Sequence, residues 1–368
     1  MINILSISSK MKLISLALIC QFIYSPPALA NPSTPPRKVV RILSIDGGGI
    51  RGMIPALVLK HIESRLLSGR RIADCFDIIA GTSTGGLIAL MLTVPNKERR
   101  PKYTAHEIAQ IYEELGQEVF SQSLWQLIKS GDGWWGAKYS SHALENCLAS
   151  YLGNACLKEV VTNVIVPAYE IELDKTFFFK SSRAKKEPAQ DCLLRDLARA
   201  TSAAPTYFSP ASLIDGTGNR RLTLIDGGMG ANNPSLAAAV YAMEIFGMDV
   251  DFFIVSIGTG TNYGAVTKNI AREDVEYAGI MGWAPKIIST LMHAVDDITN
   301  YEMHYVFNHN KQQHHYFRLQ PVLESDHTYL DKADSDNLSA LKRAADKVIR
   351  DNQTVIDEIV KTLNIRNN

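Results

Sequence analysis

The sequence predicts an α/β fold in which helices cover both faces of a mostly parallel sheet. Its apolar runs of strand length are nearly continuous, which is typical of strands that are buried on both faces. These runs alternate along the chain with helical patterns, as they do in parallel sheets. The 368 residues are 46% hydrophobic and 21% charged, so they contain enough apolar side chain for one large core. We therefore expect one compact α/β domain.

Strands and helices follow each other in a regular order. We predict strands at residues 39–45, 76–80, 160–171, 176–179, 222–225 and 252–257. We predict helices at residues 55–67, 85–92, 191–202 and 235–246. From about Glu273 the pattern is mainly helical, with one further strand candidate at 315–319. The expected organisation is an α/β domain over residues 39–270, with a mainly helical portion over 271–368 packed on the same domain.

The first thirty residues differ from the rest of the chain. They contain no Asp or Glu, two positive charges at Lys10 and Lys12, and an apolar run over residues 13–24. The run is followed by an Ala-Leu-Ala tripeptide that ends at Ala30. A basic start, a short apolar stretch and a small residue at the exit are typical of a secretory signal peptide. We therefore expect cleavage after Ala30 and export of the protein, to the periplasm or the medium.

Two further points concern this segment. Met11 begins a better-proportioned signal than Met1, so translation from Met11 is an alternative start. An uncleaved membrane anchor is the alternative to a signal peptide, but the apolar run is shorter than the roughly 20 residues that span a bilayer. Residues 31–38 are rich in proline and are predicted to be a tether.

Charge and cysteine content exclude other classes of protein. The chain has 38 Lys and Arg against 38 Asp and Glu, so no basic excess is available to neutralise the phosphates of a nucleic acid. Four cysteines remain after residue 30, and either disulfides or buried free thiols are consistent with an exported domain of this size. Since no Cys or His cluster has the spacing of metal ligands, no metal site is predicted. The oligomeric state is left open.

The first of three glycine-rich turns follows the first predicted strand. Asp46 is followed by Gly47, Gly48 and Gly49, and Arg51 and Gly52 complete the turn before a helix. Glycines bring backbone amides close to a ligand, and at the start of a helix such amides bind anions. The turn therefore suits either an oxyanion or a phosphate. The glycine spacing also matches a dinucleotide-binding fingerprint, which on its own is weak.

The second turn is a candidate nucleophile site. Gly81-Thr-Ser83-Thr-Gly85 lies between a predicted buried strand and a predicted helix, which is the context that a nucleophile elbow requires. Such a turn exposes the serine hydroxyl at the carboxyl end of a sheet, and the following helix favours negative charge there. The alternative is a Gly- and Ser-rich turn with no chemistry.

The third turn is Asp226-Gly227-Gly228, at the end of another predicted strand. If all strands are parallel, Asp226 lies at the same edge of the sheet as Ser83. A triad with one of the later histidines is formally compatible with the chain order, but none of them lies in a comparable turn. The other reading is a Ser–Asp dyad, in which Asp226 takes the serine proton. Because an ordinary Asp is a weak base, this requires burial of Asp226 and a well-stabilised oxyanion.

These motifs together resemble the patatin-like phospholipase family of lipid acyl hydrolases. The resemblance also covers residues 198–208, the Asn-Asn-Pro at 232–234 and the segment 256–260, in order over about 39–260. It implies a three-layer α/β/α sandwich and acyl transfer through an acyl-enzyme on a serine. Ser83 is then the nucleophile and Asp226 the base, with an oxyanion hole formed by Gly47, Gly48, Gly49 and Arg51. No metal or organic cofactor is implied, and the implied partner is a lipid or another fatty acyl ester.

Two other functions remain as alternatives. A dinucleotide-dependent oxidoreductase requires an acidic residue at the end of the second strand, where this chain has Gly81, Thr82 and Ser83. A non-catalytic lipid-binding protein keeps the cleft but tolerates loss of the serine hydroxyl. Trp134 and Trp135 form a pair in a glycine-rich segment. Two interpretations are open: peripheral contact with lipid aggregates, or burial of both rings in the core.

Overall fold

A computed structural model describes residues 37–119, 137–261, 280–308, 314–323 and 330–365. The predicted signal peptide, with its alternative start and its cleavage site, lies outside the described residues. The same holds for most of the tether and for the Trp134–Trp135 pair. In the described part of the chain, no helix is both long and apolar enough to cross a membrane.

One eight-stranded sheet forms the centre of the molecule. Its strands are β1 (Lys38–Ile45), β2 (Ile78–Gly81), β3 (Asn163–Glu170), β4 (Lys175–Lys180), β5 (Ala211–Ile214), β6 (Arg221–Asp226), β7 (Val250–Ile257) and β8 (His314–Leu319). The order across the sheet is β5-β6-β3-β2-β1-β7-β8, with β4 paired to β3 outside this path. Strand β8, from the predicted helical portion, pairs with β7 and so belongs to the same sheet.

Helices cover both faces of this sheet, so the predicted three-layer α/β/α sandwich is confirmed. The helices are α1 (Met53–Glu63), α2 (Thr84–Thr93), α3 (Ala105–Val119), α4 (Ser141–Leu152), α5 (Ser181–Ala184), α6 (Leu194–Thr201), α7 (Gly228–Ala231), α8 (Ser235–Phe246), α9 (Ile280–Asn308), α10 (Ser335–Asp351) and α11 (Gln353–Asn364). One face packs α1 to α4, α6, α10 and α11 in the larger core. The other face packs α8 and α9 in a smaller core. Neighbouring β1 residues such as Ile42 and Leu43 point into opposite cores, as the period of a strand requires.

Five neighbouring strands, β3, β2, β1, β7 and β8, are parallel, as predicted. The prediction that the strand ending at Asp226 is parallel to them is wrong, because β6 runs antiparallel to β3. Residue Ile165 of β3 pairs with β2 on one side and β4 on the other, and Ala168 pairs with β6 on one side and β4 on the other. Strands β2 and β6 therefore lie on the same side of β3 and meet end to end.

Five of the described strands and α-helices have no counterpart among the predicted ones: β5, α3, α4 and the four-residue helices α5 and α7. Strand β5 has four residues, too few for a clear alternation. Helix α3 is amphipathic, but only its first residues, such as Ile108 and Tyr112, show its buried side among the described side chains. Helix α4 buries Leu144, Leu148 and Leu152 at a spacing of four residues. This spacing is visible in the sequence, and the three leucines line the cavity described below.

Candidate active site

Ser83 lies at the sharp turn between β2 and α2, the strand–turn–helix context that the sequence predicts. Its φ of 52° is in the left-handed region that residues with a side chain rarely adopt. The flanking glycines allow this geometry. A Cβ on Gly81 would overlap the carbonyl oxygen of Gly85, and a Cβ on Gly85 would overlap that of Ile45. The turn places Ser83 at the N-terminus of α2, where the helix dipole favours negative charge.

Asp226 approaches Ser83 from the opposite direction, because β6 ends where β2 ends. The Ser83 hydroxyl donates a hydrogen bond of 2.6 Å to Oδ2 of Asp226. The amide of Gly228 donates to Oδ1 at 2.7 Å. Both side chains are buried, with 6% of Ser83 and 1% of Asp226 exposed. The antiparallel strand thus brings together the two residues that the sequence singled out, although by a route different from the predicted one.

Burial changes the acid–base chemistry of Asp226. It raises the pKa of the Asp226 carboxyl to about 6, against the opposing effect of the hydrogen bonds from Ser83 and Gly228. A carboxylate with this pKa is ionised at neutral pH and is a stronger base than an exposed Asp. The condition that the sequence set for a Ser–Asp dyad, a desolvated aspartate in contact with the serine, is therefore met by the geometry.

Thr201 connects the two turns, and the sequence assigned it no role. The amide of Ser83 donates to Oγ1 of Thr201 at 3.0 Å, and the same hydroxyl donates to the carbonyl of Pro167 at 2.7 Å. The amide of Gly227 donates to the carbonyl of Thr201 at 3.1 Å. Thr201 lies within the segment 198–208 that carries part of the family resemblance. This position is the only feature of the sequence that could have indicated a role for Thr201 at the site.

The glycine turn after β1 divides into two parts. Gly48 and Gly49 line the cavity beside Ser83, and within the described chain their amides have no hydrogen-bond partner. The amide of Gly47, by contrast, donates to the carbonyl of Asn232 at 3.1 Å. The expectation that Gly47 offers its amide to an oxyanion is therefore corrected. The next amide, that of Ile50, donates to the carbonyl of Leu330 at 2.9 Å, so this position is also occupied by the protein itself.

Arg51 supports the glycine turn instead of joining the cavity. Its Nε donates to the carbonyl of Gly48 at 3.3 Å, and one terminal nitrogen donates to the carbonyl of Gly260 at 3.4 Å. It is buried and is not among the residues that line the cavity. Burial lowers the pKa of Arg51 to about 10, so it remains a cation at neutral pH. The expectation that Arg51 contacts an oxyanion is corrected to a positioning role.

An apolar cavity of about 100 Å³ opens on Ser83 and Asp226. Apart from these two residues its walls are almost entirely hydrophobic: they include Leu87, Met91, Tyr112, Leu144, Cys147, Leu148, Tyr151, Leu152, Tyr207, Phe208 and Met292. A cavity with one polar end and apolar walls fits a hydrocarbon chain attached to a reactive polar group. The site therefore has the shape and polarity expected for a fatty acyl ester.

Other chemistries find less support in the described part of the chain. No histidine there hydrogen-bonds to Ser83 or Asp226 or lines the cavity, so the geometry favours a dyad over a triad. No group of three or more His, Cys, Asp or Glu residues in the described ranges is arranged to hold a metal ion. The four described cysteines form no disulfide bond with one another. For a dinucleotide, the amide of Ile50 is already occupied, and β2 ends in the serine turn rather than in an acidic residue.

Comparison with known proteins agrees with the motifs. Residues 43–239 match the family model described as patatin-like phospholipase. Patatin-like protein 2 of Arabidopsis thaliana is 38% identical over 354 residues, which cover 87% of this chain and 86% of that protein. Patatin-like protein 2 of Oryza sativa subsp. japonica is 34% identical over 366 residues, which cover 90% of this chain and 89% of that protein. The chain therefore belongs to the patatin-like phospholipase family, and this membership supports an enzyme that hydrolyses lipid acyl esters.

Another relative shows why activity has to be argued from the geometry of the site and not from overall identity. The protein called Probable inactive patatin-3-Kuras 1 of Solanum tuberosum is 31% identical over 333 residues, which cover 85% of this chain and 87% of that protein. Overall identity at this level therefore does not decide whether a member is active. The arrangement of Ser83, Asp226 and the glycine turn in this chain is the relevant observation.

Proposed function

We propose that this member of the family is a serine lipid acyl hydrolase that works through a Ser83–Asp226 dyad. The observation that carries the proposal is the 2.6 Å hydrogen bond from the Ser83 hydroxyl to Asp226 at the polar end of an apolar cavity. A nucleophile in contact with a base is the arrangement that covalent catalysis requires. The substrate class is a fatty acyl ester of a lipid, with phospholipid as the first member to test.

The reaction proceeds in two half-reactions. Asp226 accepts the proton of the Ser83 hydroxyl as the oxygen attacks the ester carbonyl, and the negative charge that develops on the carbonyl oxygen is stabilised by the amides of Gly48 and Gly49. Collapse expels the alcohol, which takes the proton back from Asp226 and leaves the acyl group on Ser83. Water then attacks this acyl-enzyme while Asp226 accepts its proton. When the second intermediate collapses, Asp226 returns this proton to the Ser83 oxygen and the fatty acid is released.

The acyl chain is expected to run along α2. Thr84, Leu87 and Met91 form one side of this helix and line the cavity in order of distance from Ser83. From Thr84 to Met91 the helix rises about 10 Å. Helix α4 contacts α2. Its last turn is held by Lys102 Nζ and the Tyr103 hydroxyl, which both donate to the carbonyl of Tyr151. We therefore expect the acyl chain to lie in a channel between α2 and α4 that is polar near Ser83 and apolar towards Met91.

The deciding experiment is hydrolysis of p-nitrophenyl esters and of phospholipids by the wild type, Ser83→Ala and Asp226→Asn. We expect turnover to fall by about 10³-fold or more in each variant, while circular dichroism remains that of a folded protein. In the wild type, kcat/KM is expected to rise with pH around pH 6, because Asp226 must be ionised to act as the base. Ser212→Ala, at an exposed position on β5, is the control.

Full activity in either dyad variant would remove that residue from the mechanism. Binding of lipid without turnover in the wild type would favour the non-catalytic lipid-binding alternative. A nucleotide-induced rise in the melting temperature would favour the oxidoreductase alternative. Ser83→Ala separates a hydrolase from a lipid-binding protein, because a binding protein tolerates this change and a hydrolase does not.

Export of the enzyme is also proposed. It is supported by the charge and hydropathy pattern of residues 1–30 and by the Ala-Leu-Ala tripeptide that ends at Ala30. The N-terminal sequence of the protein recovered outside the cytoplasm is expected to begin at Asn31. A protein that keeps residues 1–30 would favour the membrane-anchor alternative.

A further inference from the structure

Helix α9 borders the cavity and carries apolar side chains on its outward face as well as on its buried face. Its inner face packs against α7 and α8, and its buried residues recur every three or four positions: Met292, Asp296, Thr299, Met303 and Phe307. A helix at the surface of a domain usually presents polar side chains on the face opposite its buried one. In α9 the middle of the outward face is apolar instead, and exposed polar residues such as Asp297 lie to one side of it.

The outward face carries Ile287, Leu291, Ala294, Ile298 and Tyr301, which we call the outer stripe. Their spacing of four, three, four and three residues places them along one line of the helix. The exposed fraction ranges from 39% at Ile287 to 72% at Tyr301, and Ala294 is exposed as well. The stripe is about 21 Å long. A continuous apolar line of this length at the surface indicates an interaction site.

The area of the outer stripe favours a lipid surface over a second copy of the chain. The stripe exposes on the order of 400 Å², in the range of patches that are often functional. Each partner in a stable protein–protein complex buries about 800 Å², roughly twice as much. Binding to a lipid surface has no such requirement, because its strength increases with each apolar side chain that enters the interface.

The position of the outer stripe also favours lipid. Met292 follows Leu291 directly and lines the cavity that contains Ser83 and Asp226. A surface that takes up the stripe therefore lies within about one helix diameter of the cavity. Trp283, which is half-buried, lies one helical turn before Ile287 in the same line. Aromatic side chains thus stand at both ends of the stripe, as they do where proteins meet a membrane interface.

The charged residues of α9 favour a zwitterionic over an anionic lipid surface. Helix α9 contains Asp296, Asp297 and Glu302 against a single Lys, Lys286, so it offers no basic excess to attract an anionic surface. We propose that the outer stripe of α9 docks the enzyme on a surface of zwitterionic phospholipid, beside the opening through which the acyl chain reaches Ser83. The proposal rests on the proposed function for the fate of the lipid, but the binding itself does not depend on catalysis.

The test is co-flotation with phosphatidylcholine vesicles of the chain from residue 31 onwards, which is the form that the proposed cleavage after Ala30 yields. We expect the Leu291→Glu/Ile298→Glu variant to bind these vesicles at least about tenfold more weakly than the wild type. Binding of the wild type is expected to change little with added salt. Hydrolysis of soluble p-nitrophenyl butyrate is expected to stay within about twofold of the wild type, whereas hydrolysis of vesicle phospholipid falls with binding.

Leu67→Glu is the matched control, because Leu67 is 51% exposed and follows α1 in the opposite helical layer. It is expected to bind vesicles like the wild type. If the double variant loses butyrate hydrolysis, Ile298→Ser replaces it as the milder change. Equal vesicle binding by wild type and variant would overturn the proposal, as would a requirement for anionic lipid or a wild-type dimer that Ile298→Ser dissociates. Vesicle binding by a wild type that hydrolyses no ester would overturn the proposed function and leave the docking surface in place.

Discussion

The Ser83 turn and the Asp226 turn are held in place by different kinds of contact. The Ser83 turn is specified locally, because glycines at its two ends let the main chain pack directly on itself and on β1. The Asp226 turn depends on residues far along the chain, since its amide donates to the carbonyl of Ala203 and the next amide to that of Thr201. Close steric fit therefore builds the first turn, and long-range hydrogen bonds position the second. Added volume should damage the first turn, and loss of polar groups should damage the second.

The replacement of Gly85 by Ala is expected to have the largest effect on folding. The new Cβ would overlap the carbonyl oxygens of Ile45 and Asp46, which are main-chain atoms with no alternative position. We expect the free energy of unfolding to fall by about 3 kcal/mol or more. Urea denaturation followed by circular dichroism measures this loss.

Gly153→Ala is the matched control for this prediction. Gly153 has a φ of 58°, but nothing lies within 4 Å of the position that a Cβ would take. Its replacement therefore has only a conformational cost, about 1 kcal/mol in the free energy of unfolding. Equal losses in the two variants would contradict the claim that steric fit builds the Ser83 turn.

Asp226→Asn is expected to stabilise the fold while it abolishes turnover. Because burial raises the pKa of Asp226 to about 6, the native state holds this proton more tightly than the unfolded state. The stability that the neutral form contributes is complete below about pH 4 and is lost as the pH rises through about 6. Relative to the wild type, the variant should therefore gain little at pH 4 and about 2–3 kcal/mol at pH 8. Urea denaturation at both pH values measures the difference, and an equal difference at the two would contradict a buried, ionised Asp226.

The same contrast explains how far the sequence could predict the site. The Ser83 turn was predictable because Gly81, Ser83 and Gly85 and their strand–turn–helix setting lie within a few residues of each other. The position of Asp226 followed from the same kind of pattern, but the direction of β6 did not. Strand direction depends on how distant segments pair, and a four-to-six-residue apolar run has the same appearance in either direction. The family, the sandwich and the parallel strands are confirmed, whereas the parallel β6 is not.

Thr201→Val tests the link between the two turns. Valine has nearly the same shape but offers no acceptor to the Ser83 amide and no donor to the Pro167 carbonyl. We expect the free energy of unfolding to fall by about 1–3 kcal/mol, and kcat with p-nitrophenyl butyrate to fall more than KM rises. Thr201→Ser keeps the hydroxyl and should restore most of the turnover. Equal turnover in the two variants would show that the hydroxyl does not position Ser83.

The glycine turn shows a second limit of sequence reasoning. Gly47, Gly48 and Gly49 are equivalent in the sequence, yet only the last two have amides that face the cavity without a partner in the described chain. The difference arises because Asn232, nearly two hundred residues away, supplies a carbonyl to Gly47. Likewise, the positive charge of Arg51 predicted contact with a bound anion, but its guanidinium donates hydrogen bonds to the carbonyls of Gly48 and Gly260. Local composition predicts which groups are present, and tertiary contacts decide which remain available.

The smallest expected effect concerns the far end of the cavity, which neither turn touches. Met91 lies about two helical turns beyond Thr84 along α2 and lines the cavity. Met91→Phe should shorten the channel and lower kcat/KM for p-nitrophenyl decanoate by about tenfold, since a displaced methylene or two in an apolar pocket changes discrimination by this order. The butyrate ester, whose chain does not reach Met91, should be hydrolysed as by the wild type. A similar loss for both esters would mean that the substitution disturbs Ser83 through α2, and a loss for neither would place the acyl chain elsewhere in the cavity.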